Sequence, residues 1–461
     1  MTELTDLGVI GLGERLRRRQ ASSVEVTQAY LDRIATVDGR LGSYLTVTAD
    51  LALAAAKRAD AEAAAGAWRG PFHGVPVGLK DLIHVKGIPT TAGSRVLAGF
   101  QPGYDATVWK RLADGGAILL GKLNLNEFAY GGLNAACHNP YALDHLPGGS
   151  SAGAGAAVAG RTAAAAIGTD TSGSIRIPAA ACGCVGLKPT WGRVSRHGVI
   201  PLAQSMDCVG PMTRTVGDAA LMLQVIAGHD PDDSTSSREP PPDFAAPARL
   251  GVKGLRIGVI RELSDRIAPE VERLFKATLQ RLADQGARVD EVSIPPLEIG
   301  ALINNVVTSV EALEYHQTWL AERRSLYGAD CRAQLEAGMM VPATAYVRAQ
   351  RGRARILAAA LKALADHDVL VSPGSAATAT AAADFARDPK AAADTSYRDM
   401  LRFTQPFDTT GQPALTVPIG LSTEGLPAAI QIVGRPFDEA MLFRVGGAVE
   451  AARGPLKPPQ L

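Results

Sequence analysis

Gly168-Thr-Asp-Thr-Ser-Gly-Ser-Ile-Arg-Ile-Pro178 closes a small-residue apolar run, Ala152 to Ile167, and turns abruptly into Thr, Ser and Gly. An apolar run ending in turn residues reads as a buried segment delivering a loop, and such a loop exposes a row of backbone N–H groups. Two other stretches are built the same way. Val75-Pro-Val-Gly-Leu-Lys80-Asp81 puts a lysine at the end of an apolar strand, and Gly148-Gly-Ser150-Ser151-Ala-Gly153 stands at the mouth of a small-residue helix. Two serines and a lysine on Gly-rich turns are what acyl transfer without histidine requires, because a buried lysine can lose its proton and serve as base to a hydroxyl nucleophile. Moving a lysine pKa from ~10.4 to ~7.5 corresponds to roughly 4 kcal/mol of destabilised charge, within reach of a dry site.

Outward from these loops, short apolar runs (Val75–Leu79, Ala117–Leu120) alternate with helical stretches such as Ala106–Asp114. Residues 230–248 are polar and Pro-rich and read as a loop. Beyond it the rhythm resumes, with strands predicted at Leu255–Ile260, Ala287–Ile294, Val369–Ser372, Ala414–Pro418 and Ala429–Val433, and helices at Pro269–Gln285 and from Asp438 onward. Alternation of this kind argues an α/β layer fold. Near the start, Ser22-Ser-Val-Glu25 has capping-box spacing and Val26, Tyr30 and Ile34 continue an apolar helical face, which predicts two leading helices. The chain reads as a single domain over 1–461, with N-terminal helices in 1–65, a core in 70–215, the loop 230–248, and 250–461 completing the α/β unit.

The composition excludes several classes. The 461 residues carry 47 Lys+Arg against 46 Asp+Glu and are 46% hydrophobic, so the chain is neither disordered nor fibrous nor built to seek a polyanion. The first residues lack the basic and apolar regions of a secretory signal, and the run Ala152–Ile167 contains Arg161 and is too short to span a membrane. Five cysteines without CxxC spacing fit a reducing, cytoplasmic setting. The eight histidines are scattered and form no HExxH, which gives a metal site no support.

Several motifs are deceptive. Gly116-Ala-Ile-Leu-Leu-Gly-Lys122 matches most of a P-loop, but Leu123 stands where Ser or Thr must hold magnesium. Gly153-Ala-Gly155 lacks the third glycine of a dinucleotide fingerprint, and Cys182-Gly-Cys184 reads as core packing. Gly149-Ser-Ser151-Ala-Gly153 is a formal G-x-S-x-G, which in an α/β-hydrolase esterase would make Ser151 the nucleophile with a histidine such as His197, His316 or His367. That reading needs a strand leading into the turn, whereas Asn139-Pro-Tyr-Ala-Leu-Asp-His-Leu-Pro147 is no strand.

Taken together, the three loops resemble the amidase signature family, strongly over residues 70 to 215. The likeness includes Gly183-Cys-Val-Gly-Leu-Lys-Pro-Thr190 and Asp207-Cys-Val-Gly-Pro-Met-Thr213, with weaker echoes in Thr404-Gln-Pro-Phe-Asp408 and onward to Pro418. The resemblance implies a three-layer α/β/α fold with a central mixed β-sheet. It makes Ser174 the nucleophile, Ser150 the bridging serine after a cis peptide bond, and Lys80 the base. The backbone N–H groups of Thr171, Ser172, Gly173 and Ser174 become the oxyanion hole. Gly149, Ser151, Asp170 and Arg176 become supporting residues, and neither metal nor cofactor is needed.

The chain departs from the family pattern at Ala152 and Ala154 in the first loop, at Ser172 in the second, and at Asp408, where relatives often carry Asn. One branch, the A-type component of glutaminyl-tRNA amidotransferases, commonly continues its nucleophile loop as Arg-Gln-Pro, whereas this chain has Arg176-Ile177-Pro178. That difference favours a free-standing hydrolase of amides, aryl amides (anilides) included, with carbamates (urethanes) and esters as additional substrates. The small residues Ser375–Ala383 fit a loop lining the cavity mouth as well as they fit disorder. The expected partner is then a small-molecule amide or carbamate, with no nucleic acid and no membrane; the family resemblance allows a homodimer, and the residues themselves leave the oligomeric state open. The alternative is an A-type component supplying ammonia within a complex.

Overall fold

The computed structural model describes residues 3–132, 134, 136–387 and 398–461. Among them, eleven strands form one mixed sheet: β1 Tyr44–Val47, β2 Pro76–Lys80, β3 Ile118–Leu123, β4 Ala165–Asp170, β5 Val185–Lys188, β6 Cys208–Thr213, β7 Arg256–Ile260, β8 Arg288–Val292, β9 Val369–Pro373, β10 Ala414–Leu421 and β11 Pro427–Val433. Their order across the sheet is β1-β3-β2-β4-β6-β5-β10-β11-β9-β7-β8. The pairs β2–β3, β2–β4, β7–β8 and β7–β9 are parallel, and the remainder antiparallel. Helices Val216–Ile226, Pro269–Asp284 and Glu439–Arg453 pack together on one side, and helices Ala152–Ala159, Arg176–Cys182, Arg398–Thr409 and Gly300–Arg323 on the other. This is the three-layer α/β/α arrangement expected.

Covering both faces explains the sequence texture. Strands β2, β3, β4, β5, β6, β9 and β11 are buried at every residue, so they read as continuous apolar runs instead of alternating ones. The Ala152–Ile167 run divides into a helix, Ala152–Ala159, and β4, which begins at Ala165. The chain reverses between them through Arg161 at φ +64°. Alanine carries no strand preference, so composition alone merges the two elements. The small residues are needed where they are: a Cβ on Gly168 would stand 2.8 Å from the Ser151 hydroxyl.

The N-terminal expectation needs correction. Residues 1–65 hold three principal helices, Val9–Arg17, Ser23–Leu41 and Ala49–Ala64, and the edge strand β1 lies between the last two. Gly42, left-handed at φ 61°, ends the second helix, and Tyr44-Leu-Thr-Val47 then pairs with β3. The Pro-rich stretch 230–248 is indeed largely irregular, but it is tied down: Asp230 accepts the Ser195 hydroxyl at 2.5 Å and Asp233 accepts the Arg196 N–H at 2.8 Å. Among the described residues no helix is long and apolar enough to cross a membrane.

The predicted capping box is formed, with Glu25 N–H donating to Ser22 Oγ at 3.1 Å and Ser22 N–H to Glu25 Oε2 at 2.7 Å. Ser22→Ala should therefore cost about 1 kcal/mol of stability, read from chemical denaturation, with catalysis unaffected at its distance from the sheet's central loops.

Candidate active site

Parallel strands β2 and β4 lie side by side, Leu79 opposite Ile167, so Lys80 and the loop after Asp170 emerge at the same end of the sheet. Lys80 is fully buried. Its Nζ donates to Ser150 Oγ at 2.7 Å and to Thr169 Oγ1 at 2.8 Å. Burial pushes the ammonium pKa down to about 7, with Asp170 and Asp207 opposing the shift from farther off. A second buried lysine shows what Lys80 lacks: Lys122 sits 2.8 Å from Asp81, whose carboxylate counters the desolvation. Two hydroxyl acceptors and no ion pair leave Lys80 easy to deprotonate.

Ser150 follows a cis Gly149–Ser150 peptide bond. A Cβ on Gly149 would come within 2.5 Å of Asn126 Oδ1, and Asn126 N–H reaches the Ser150 carbonyl at 3.3 Å. The first serine loop is joined to the second by the Ser151 N–H, which donates to the Ser174 carbonyl at 3.1 Å. The Ser151 hydroxyl itself is fully buried and bonded to the β4 backbone, donating to the Thr169 carbonyl at 3.2 Å and accepting the Thr169 N–H at 3.3 Å. Its partners are backbone groups, which is not the setting of an esterase nucleophile. His316, one histidine the esterase reading would use, is buried among Phe128, Tyr315, Trp319 and Tyr327, and His367 meets Asp290 and the Ala363 carbonyl.

The second loop is shaped by Asp170. Its Oδ1 accepts the Gly173 N–H at 2.7 Å and Arg176 Nη2 at 2.9 Å. Its Oδ2 accepts the Ile175 N–H at 3.0 Å, the Arg176 N–H at 3.3 Å and Arg176 Nε at 3.1 Å. Burial alone would raise the Asp170 pKa, but Arg176 overcomes it and holds the carboxyl well below the usual range. Of the four N–H groups expected to face a substrate oxygen, Gly173's is thus already engaged. Gly173 is irreplaceable for another reason, since at φ +119° its Cβ would stand 2.3 Å from Thr404 Oγ1. The Ser172 side chain turns aside, donating to Asn304 Oδ1 at 2.6 Å, while Asn304 Nδ2 holds the Thr171 carbonyl at 3.0 Å and Thr404 Oγ1 the Ser172 carbonyl at 2.6 Å.

Sequence reasoning missed Thr169, Asn126, Asn304 and Thr404. Two of them carried a signal, Thr169 by standing one residue before Asp170 where the apolar run gives way to turn residues, and Thr404 by opening the Thr404–Asp408 echo of the family. A cavity of about 310 Å³ reaches Thr169 and Thr171 and is lined by Arg196, His197, Asp207 and Tyr315. The Ser375–Ala383 tract lies against the segment leading into the first serine loop: Leu146 N–H donates to the Thr380 carbonyl at 2.9 Å, and Ala381 bridges to His145. Cys182 and Cys184 are buried thiols, Cys184 pushed up to about 12 by burial. Among the described residues no group of three or more His, Cys, Asp or Glu could hold a metal ion.

The class of protein to which this mixed α/β/α fold belongs is shown by comparison with known proteins. The Amidase family model matches residues 25–443, and the chain belongs to that family. It is 42% identical to the A component of the glutamyl-tRNA(Gln) amidotransferase of Anaeromyxobacter dehalogenans (strain 2CP-C), over 99% of this chain and 98% of the relative. Among solved structures, a chain from a vestigial protein complex bearing on the origins of an s-triazine catabolic enzyme superposes with TM-score 0.89 at 29% identity, covering 96% and 98% of the two chains. The native peptide amidase of Stenotrophomonas maltophilia superposes with TM-score 0.84 at 33% identity, covering 99% and 98%.

These relatives overturn the expected partners. A lone enzyme meeting only a small amide or carbamate, with a homodimer as its sole assembly and no link to nucleic acid, does not fit relatives that are components of an amidotransferase named for a tRNA, or part of a protein complex. The physical reason is that balanced charge excludes only polyelectrolyte partners, whereas an interface between protein chains is about as polar as any other surface and leaves no compositional mark. Ile177 in place of glutamine is likewise a single position and does not outweigh similarity along the whole chain.

The buried Lys122–Asp81 pair beside Lys80 yields a stability prediction. Lys122→Met strands a buried carboxylate and should cost about 3–5 kcal/mol in urea denaturation, while Asp81→Asn added to Lys122→Met should recover much of that loss.

Proposed function

We propose that the chain is the A-type component of an amidotransferase, hydrolysing the side-chain amide of glutamine through an acyl-enzyme on Ser174 and supplying the ammonia to partner proteins. The chemistry rests on one observation, a fully buried Lys80 whose ammonium donates, among the described residues, to the Ser150 and Thr169 hydroxyls and to no carboxylate. The assembly rests on the end-to-end similarity to amidotransferase components of the A type. Five unpaired thiols suit a reducing cytoplasm.

In this reading neutral Lys80 takes a proton from Ser150 Oγ, which takes one from Ser174 Oγ as that oxygen attacks the amide carbon. Negative charge on the carbonyl oxygen is met by backbone N–H groups of Thr171, Ser172 and Ser174, Gly173's being committed to Asp170. Ser150 then returns a proton to the leaving nitrogen, recovering one from Lys80, and the C–N bond breaks to free ammonia. Water attacks the ester through the same relay, restoring Ser174 and releasing glutamate. Gly149 and Ser151 keep the first loop in register; Asp170 and Arg176 keep the second.

The test uses the assembly purified on a tagged copy of the chain from its native host, with isotope-labelled glutamine and, separately, anilides and aryl carbamates. Ammonia release from glutamine, with partner proteins co-purifying, is the expected result. Release of aryl amines with glutamine inert, or a chain that purifies alone, would overturn the proposal. Lys80→Ala and Ser174→Ala should each lower turnover by at least about 10³-fold, while Ser151→Ala retains much of it.

The pH profile follows from the lysine. Its charged form is inactive as a base, so kcat/KM should fall as pH drops through about 7. Thr169→Val removes a hydroxyl acceptor of the ammonium and should move that acid limb to lower pH, measurable in the same assay.

A further inference from the structure

Asp170, Arg176 and Asp408 are each fully buried behind the second loop. Counting donors distinguishes the two carboxyl groups. Asp170 accepts from Gly173 N, Ile175 N, Arg176 N, Arg176 Nε and Arg176 Nη2. Asp408 accepts only from Arg176 Nη2, at 2.5 Å on Oδ2, and no donor among the described residues reaches its Oδ1. The two carboxyl groups crowd one nitrogen, Arg176 Nη2, which donates to Asp170 Oδ1 at 2.9 Å and to Asp408 Oδ2 at 2.5 Å. Two carboxylates crowded on one guanidinium nitrogen repel each other, and a proton held on one of them removes that repulsion. Asp170, with every N–H aimed at it, needs its charge, which leaves the proton on Asp408.

We propose that Asp408 is a positioning residue held as a carboxylic acid, whose O–H donates to Asp170 and thereby sets the Gly173–Ser174 loop. The charged and titratable groups acting on the pair are Arg176 from its own helix, Lys188 from β5, Cys208 from β6 and, on Asp170, Lys80 from β2. Thr404 and Gln431 add neutral acceptors that occupy Arg176 Nη1 at 3.0 and 2.8 Å. Burial raises the Asp408 pKa well above the ordinary carboxyl range, and Arg176 only partly opposes this. When the proton leaves at high pH, a second anion faces Asp170, the two repel, and the backbone bonds that Asp170 makes to Gly173 and Ile175 are disturbed. The loop donors beside them move, so kcat falls while substrate binding is spared. An asparagine at this position does the same structural work without titrating, because its amide donates to Asp170 and its oxygen accepts from Arg176.

The kinetic part of this inference rests on Ser174 as nucleophile; the protonation itself does not. Infrared difference spectra of wild type minus Asp408→Asn at neutral pH should contain the carbonyl band of a protonated carboxylic acid, shifted in heavy water. Wild-type kcat should show an alkaline limb that Asp408→Asn lacks, and Asp408→Ala should lose on the order of tenfold in kcat with little change in KM, the loss being rescued by Asn. Thermal unfolding gives a readout independent of catalysis. The folded state keeps a proton that the unfolded chain releases, so wild-type stability should decline relative to Asp408→Asn as pH rises above the ordinary Asp range. Absence of the acid band, or a stability gap that does not change with pH, overturns the protonation. A band present with superimposable kcat profiles for wild type and Asp408→Asn overturns the positioning role. If Ser174→Ala remains active, the proposed function fails while the infrared and unfolding results still decide the state of Asp408.

Discussion

The buried pair Asp170–Arg176 is the interaction on which the site depends. Neither group touches solvent, and an isolated ion in such a place would cost several kcal/mol. The structure offsets that cost with hydrogen bonds: the carboxylate collects the N–H groups of the loop that follows it, and the guanidinium reaches the Thr404 carbonyl and Gln431. One charge pair thereby joins the end of β4, the serine loop, the helix Arg398–Thr409 and strand β11. The loop cannot relax without exposing a buried carboxylate to fewer donors, and that gives a Gly- and Ser-rich segment a single conformation.

The same economy of charge distinguishes the two lysines beside it. Lys122 meets a carboxylate and stays within an ion pair; Lys80 meets only hydroxyls. Desolvation acts on both; at Lys122 the adjacent Asp81 counters it, whereas at Lys80 the carboxylates of Asp170 and Asp207 oppose it only from farther off, and the ammonium pKa falls to about 7. Asp408 is the complementary case, a carboxyl whose neighbours favour keeping the proton. Three buried ionisable groups thus differ in the partners they meet, a carboxylate at Lys122, two hydroxyls at Lys80 and a guanidinium at Asp408.

Much of this was legible in the residues. Lys80 at a strand end, the Gly-flanked Ser150 and Ser174, and the strands predicted at Leu255–Ile260 and Ala429–Val433 all announce themselves through patterns that local physics enforces. Strand β1 did not, because four residues at a sheet edge carry too little pattern against the helices on either side. The division of Ala152–Ile167 was hidden because alanine favours helix, so that the alanines opening β4 read as a continuation of the helix before them. The roles of Asn304 and Thr404 were hidden for a different reason: each acts by hydrogen bonds to residues far from it in the chain, whose positions only the fold supplies.

The sequence by itself determined the α/β class, the family and the chemical types at the site, since turn residues, apolar runs and capping motifs act over a few neighbours along the chain. Only the tertiary structure decided which hydroxyls face Lys80, that Gly173's N–H belongs to Asp170, and that Asp408 lies against Asp170 and Arg176. Charge state depends on what surrounds a group in three dimensions, and burial together with contacts from distant segments is the quantity a linear pattern does not carry.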